Sequence, residues 1–318
     1  MASPYSAGGG GTRLEARVVA ACLAALLCEA SIRGLVGEYA TKVRTQRGAF
    51  GDPLDDIIID GVHSDGQTTA LHLQVKNRLT FTALDDEWLD VLHRAWDTVS
   101  APAFDQTRHR VGVGIGAYNA RVDQHYQSVL SWAEHSPDAQ NFFERIARGD
   151  YSHQDKQAFV ATVKAALEVH AGRALADEEL WRFFKVFVIA HYDFQSATGS
   201  RDEASTVERL KALLPPERRE EARRIWDHLV AKAGELIPTG GGASRPTLAA
   251  QLAADGFALG AAPSYWKDIE ILRRESRRAL SDIKSDIQGL LMKRFAQRSE
   301  RRGLCKSMAN LAPESLRY

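Results

Sequence analysis

The sequence predicts an α/β fold in which a helix, three strands, a second helix and a fourth strand (αβββαβ) follow one another over residues 13–118, with a mainly α-helical C-terminal extension behind them. Three observations predict it. Apolar residues recur at three- and four-residue spacings in two segments, four others are β-branched-rich or alternate in strand fashion, and Gly and Asp-Gly turn signals separate them.

The first helix is expected over Thr12 to Ser31 (TRLEARVVAACLAALLCEAS), where Leu14, Val18, Val19, Cys22, Leu23, Leu26 and Leu27 form one face. Ahead of it, residues 1–12 (MASPYSAGGGGT) read as a flexible tail. Glu38 to Gln46 (EYATKVRTQ) is β-branched and aromatic between Gly37 and Gly48, which suits a strand. Asp56 to Val62 (DIIIDGV) and Thr69 to Lys76 (TALHLQVK) supply two more strands, joined as a hairpin through Asp65-Gly66. Asp85 to Val99 places Trp88, Val91, Leu92, Ala95 and Trp96 on one side of a second helix, and HRVGVGIG from His109 to Gly116 alternates as the fourth strand.

Residues 119–236 read as a helical extension, interrupted by Lys185 to Ala190 (KVFVIA), a short apolar run of the strand type. Pro238 to Pro246 (PTGGGASRP) predicts a linker over 237–247. The remainder, 248–318, is expected to be a C-terminal helical connector or docking region, with helices from Leu248 to Leu259 and from Trp266 to Arg302.

In the 318 residues, 41 Lys and Arg balance 41 Asp and Glu, so bulk charge gives no sign of a nucleic-acid partner and any such contact must be local. Between Lys267 and Lys306, twelve basic residues face six acidic ones, which is either a solvated helix face or a docking surface. Cys22, Cys28 and Cys305 lack metal-ligand spacing and read as buried thiols of a reducing compartment. No apolar run reaches the ~18 residues of a membrane span and no signal peptide is visible, so a cytoplasmic protein without a membrane partner is expected.

The chemistry is concentrated on the hairpin. Alternation in TALHLQVK puts Leu71, Leu73 and Val75 on one face and His72, Gln74 and Lys76 on the other, while Asp56 shares a face with Ile58 and Asp60. When the two polar faces meet, a carboxylate, a carboxamide and an ammonium converge. Mg2+, or Mn2+ in its place, takes oxygen ligands, which Asp56 and the Gln74 carbonyl can supply. A metal so held lowers the pKa of a water and polarises a phosphate, and Lys76 can position the water or neutralise phosphate oxygens. Glu15 borders the buried stripe of the first helix in register with Val19, Cys22 and Leu26. It either points at the sheet as a further ligand or complements the helix macrodipole. His72 is a bystander on the polar face or a phosphate contact.

These residues resemble the PD-(D/E)xK, restriction-endonuclease-like nucleases, in the Mrr-like branch where Gln replaces the second acid. GAFGDPLDDIIIDGV, LHLQVKNRLTFT and DEWLDVLHRAWDTV are similar to N-terminal effector domains of bacterial anti-phage systems that use NACHT or related STAND ATPases. The resemblance implies a metal-dependent DNA endonuclease of anti-phage defence, with Asp56, Gln74 and Lys76 in metal-binding and catalytic roles. It also implies that Glu15 matches the family's helical acid and that Asp55 is a neighbour able to replace Asp56 in the alignment. No G-x-x-x-x-G-K-[ST] occurs, and Gly240 to Gly242 lack the following Lys. The expected partners are therefore DNA and either further copies of the chain or a separate sensor or ATPase. The alternative from another class is a catalytically silent nuclease-like module that binds nucleic acid or serves as a scaffold.

Overall fold

A computed structural model describes residues 9–35, 39–63, 66–149, 152–194 and 199–261. The chain divides into two units, Met1–Trp266 and Lys267–Tyr318. The expected helix from Trp266 to Arg302, the basic stretch and Cys305 lie outside the described residues.

Helix α1 (Gly9–Leu27) is followed by β1 (Tyr39–Thr45), β2 (Ile57–Val62), β3 (Thr68–Lys76), α2 (Asp86–Ser100) and β4 (His109–Ile115). This is the αβββαβ order the sequence predicts. The start of α1 is corrected: helical backbone begins at Gly9, inside the stretch expected to be a tail, because each residue added to an existing helix gains a hydrogen bond. Asp85 starts α2 by accepting the Trp88 amide with its side chain.

The extension continues through α3 (Gln127–His135), α4 (Ala139–Ala147), α5 (Gln154–Ala171), α6 (Asp177–Val186), β5 (Phe187–His191), α7 (Arg201–Lys211), α8 (Ala222–Thr239), β6 (Gly242–Ser244) and α9 (Arg245–Ala254). The strands form one six-stranded mixed sheet in the order β5-β4-β3-β2-β1-β6. β1, β2 and β3 pair antiparallel, β4 and β5 add in parallel beyond β3, and β6 closes the other edge antiparallel to β1.

Alternation on the strands sends side chains into two cores. Val43, Ile57, Ile59, Leu71 and Leu73 pack with α1, α7, α8 and α9 on one face. Val111, Val113, Ile115, Phe187 and Ile189 pack with α2 to α6 on the other, around a fully buried Trp88. The extension thus covers both sides of the sheet.

The Pro238 to Pro246 stretch does not run free as a linker. Pro238 sits in the last turn of α8, Gly240 takes the left-handed conformation (φ 61°) that ends the helix, and Gly242 to Ser244 pair with β1. Ser244 then caps α9, accepting the Thr247 amide. Cys22 and Cys28 are buried free thiols. Among the described residues, no helix is long and apolar enough to cross a membrane.

Candidate functional site

The site forms where the hairpin opens. The β2–β3 ladder ends at Ile57 opposite Leu73, whereas β3 runs on to Lys76 along β4, with Gln74 beside Val113 and Lys76 beside Ile115. Beyond the fork, the Val75 N–H has lost its strand partner on the β2 side, and the Asp56 carboxylate accepts it at 2.8 Å. Extending the ladder by one residue sets Asp56 beside Gln74.

Glu15 reaches the same place from α1. The Gln46 side-chain amide, just past β1, donates to Glu15 Oε1 at 2.7 Å and to Asp56 Oδ1 at 3.1 Å. Gln46 was missed in the sequence. It adopts a left-handed backbone (φ 47°), strained for a residue with a Cβ, and its N–H donates to the Asp56 carbonyl at 3.1 Å. The sequence carries no signal for this beyond a polar residue at a strand end.

Electrostatics set the two acids apart from ordinary surface carboxylates. Burial, then the nearby Asp56 charge, pushes Glu15 up to about 7. Burial pushes Asp56 up to about 6 against the lowering effect of the Val75 hydrogen bond. Lys76 lies close enough to favour the charged form of both, and it makes no ion pair among the described residues.

Gln74 is 6% exposed and its Oε1 is buried without a hydrogen-bond partner. An orphaned buried carbonyl typically costs about 1–3 kcal/mol, so one at a site is a sign of a missing electrophile. A buried and a half-buried carboxylate and a bare carboxamide oxygen are hard donors, and they fit Mg2+ or Mn2+.

The structure brings Glu15, Asp56, Gln74 and Lys76 together and leaves Asp55 and His72 aside. Asp55 accepts the Gly48 N–H at 2.9 Å and Arg94 Nη1 at 3.1 Å, tying the 47–50 turn to α2. His72 shares the Gln74 face but sits by Asp52 and the Leu54 backbone, and burial lowers its pKa. Among the described residues, no hydrogen bond or ion pair joins it to Asp56, Gln74 or Lys76.

A second group of ligating atoms, absent from the sequence reading, comprises His125, His153 and Asp155, all within 4.8 Å of one another. It is a poorer metal centre. His153 Nδ1 already accepts the Asp155 N–H at 3.2 Å as the cap of α5, and His125 Nδ1 is buried without a partner. A metal on His125 Nε2 would force a proton onto that bare nitrogen.

No family model matches the chain, and no curated protein matches it. Among solved structures, it is similar to the Cap4 SAVED/CARF-domain containing receptor of Acinetobacter baumannii with the cyclic trinucleotide 3'3'3'-cAAA. The TM-score is 0.38 at 13% identity, over 73% of this chain and 41% of that one. The Cap4 SAVED/CARF-domain containing receptor of Moraxella osloensis gives a TM-score of 0.37 at 11% identity, over 75% and 45%. The chain therefore spans less than half the length of these receptors.

Proposed function

We propose that the chain is a metal-dependent nuclease that hydrolyses phosphodiester bonds of DNA, acting as an effector of bacterial anti-phage defence. The observation that carries this reading is the buried, unpartnered Gln74 Oε1 at the fork that also holds Asp56, with Glu15 and Lys76 converging on it. The defence setting and the preference for DNA come from the sequence resemblance alone.

Asp56, Glu15 and Gln74 Oε1 would hold Mg2+ or Mn2+, which when bound supplies a water of lowered pKa and Lewis acidity toward the phosphate. Lys76 neutralises charge that builds on the non-bridging oxygens in the transition state. Gln46 keeps the two carboxylates side by side. Asp56 is held from behind by the Val75 amide, so its remaining lone pairs are pre-aimed.

The test is incubation of the purified chain with plasmid, linear DNA and RNA in Mg2+, Mn2+ or EDTA. Cleavage of DNA that needs the metal supports the proposal. Undiminished cleavage in EDTA, or none in either metal, overturns it, and DNA binding without cleavage would favour the silent module. Cleavage of RNA alone would reassign the substrate.

A further inference from the structure

A cleft of about 320 Å³ adjoins the Gln46 that bridges Glu15 and Asp56. Its walls are Lys42, Arg44, Arg47, Asp60 and Gly240 to Gly242. Three cations and a single acid line it, and with Asp52 against Arg47 the local balance is one positive charge, in a chain with no net charge.

Each cation is placed by the fold. Lys42 and Arg44 are two residues apart on β1 and so project to one face, beside the short edge strand β6. Lys42 is exposed and has no ion pair among the described residues. Asp60 accepts from Arg44 Nε at 3.1 Å and Nη2 at 2.5 Å, which fixes the guanidinium and leaves Nη1 outside that fork. Arg47 lies 3.6 Å from the Phe50 ring centroid, with its Nε 3.6 Å from Asp52.

The glycines let the 240–242 wall approach β1 and the turn behind it closely. A Cβ on Gly242 would stand 2.8 Å from the Val43 carbonyl oxygen and 3.1 Å from Arg44 Cγ. Gly240 needs its positive φ, and a Cβ there would meet Gln46 O at 3.2 Å and the Phe50 ring at 3.3 Å. The same contact puts Phe50, 62% exposed, at the cleft mouth with an aromatic surface facing solvent.

We infer that this cleft is a binding site for the backbone of a nucleic-acid strand, with Lys42, Arg44 and Arg47 on phosphate oxygens and Phe50 packing against a base or sugar. The choice of ligand rests on the nuclease reading, since Gln46, whose amide holds the acid pair, precedes Arg47 and has its carbonyl against Gly240 of the cleft wall. Cations alone would suit any phosphate. An exposed aromatic beside them is the pairing that single-strand binders use, where base stacking adds to backbone attraction.

The experiment measures binding of fluorescent single- and double-stranded DNA to the full chain in EDTA over a range of salt, without reading cleavage. Lys42→Glu is expected to weaken binding about tenfold or more and to reduce the salt slope by about one, with Lys42→Gln intermediate. Phe50→Ala is expected to weaken single-strand binding about fivefold or more with little change in slope. Lys164→Glu, on α5, should match the wild type, and circular dichroism melts show whether each variant is folded. Folded Lys42→Glu with wild-type affinity and slope overturns the inference. So does competition by millimolar inorganic phosphate together with an unaffected Phe50→Ala, which would mark a general anion site. A chain that cuts nothing yet loses binding through Lys42 and Phe50 leaves the cleft in place and removes only the nuclease reading.

Discussion

The Asp56 carboxylate takes the Val75 backbone N–H at 2.8 Å, the bond that a longer β2 would have made to β3. One residue thus ends a ladder and offers a charge to the site, and asparagine separates the two tasks. Asp56→Asn keeps an acceptor for Val75 and removes the charge. It is expected to stay folded, to lose cleavage by about a thousandfold or more, and to lose any rise in melting temperature on adding Mg2+. A variant that still responds to the metal in a melt would show that Asp56 is not a ligand.

Asp55 should behave in the opposite way. Its two oxygens are spent on Gly48 N–H and Arg94, so Asp55→Ala removes both bonds and releases the turn at 47–50. A loss of about 1 kcal/mol in stability is expected, with measurable cleavage remaining below the melting transition. Urea denaturation and a plasmid assay check both parts. Complete loss of activity in a stable Asp55→Ala protein would reverse the assignment of the two neighbouring acids.

Gln46 gives a sharper test of the bridge between Glu15 and Asp56. Its left-handed backbone costs on the order of 1 kcal/mol that glycine does not incur, while glycine lacks the amide that holds the carboxylates together. Gln46→Gly is therefore expected to change stability by less than about 1 kcal/mol and to raise the Mg2+ concentration needed for half-maximal cleavage about tenfold. Unchanged metal dependence would reduce Gln46 to a structural turn residue.

The parts of this arrangement that could be read in advance are those with a period. Trp88, Val91, Leu92 and Ala95 fix α2, and the alternation of Leu71, Leu73 and Val75 against His72, Gln74 and Lys76 fixes the two faces of β3. β6 could not be read, because three residues have no period and Gly242 to Ser244 look like a linker until β1 offers them an edge. Gln46 was illegible for a related reason. Its role comes from a left-handed turn that aims the amide at two acids 31 and 10 residues away, and no local pattern encodes that. Asp55 and Asp56 were distinguishable only by which face each occupies, and the hydrogen bonds of the fork now give them separate partners.

The last expectation concerns pH. Glu15 is raised from 4.5 to about 7 and Asp56 from 3.8 to about 6, so the folded chain holds these protons more tightly than the unfolded chain does. Stability from such groups is fully present below the unfolded values and is lost as pH rises through the folded ones, here from about pH 4 to about pH 7. At about 1.4 kcal/mol per pKa unit, each group accounts for up to about 3 kcal/mol. In EDTA the melting temperature should therefore fall between about pH 5 and about pH 8, and Glu15→Gln, which cannot ionise, should flatten the fall. A bound cation reverses the preference, because it favours the deprotonated acids and must displace their protons. Mg2+ should then stabilise the wild type more at about pH 8 than at about pH 5, with proton release on binding measurable by calorimetry in buffers of different ionisation heat. If the chelated protein instead gains stability over that range, and Glu15→Gln follows the same curve, Glu15 is not a buried acid held against the Asp56 charge, and its place among the metal ligands falls with it.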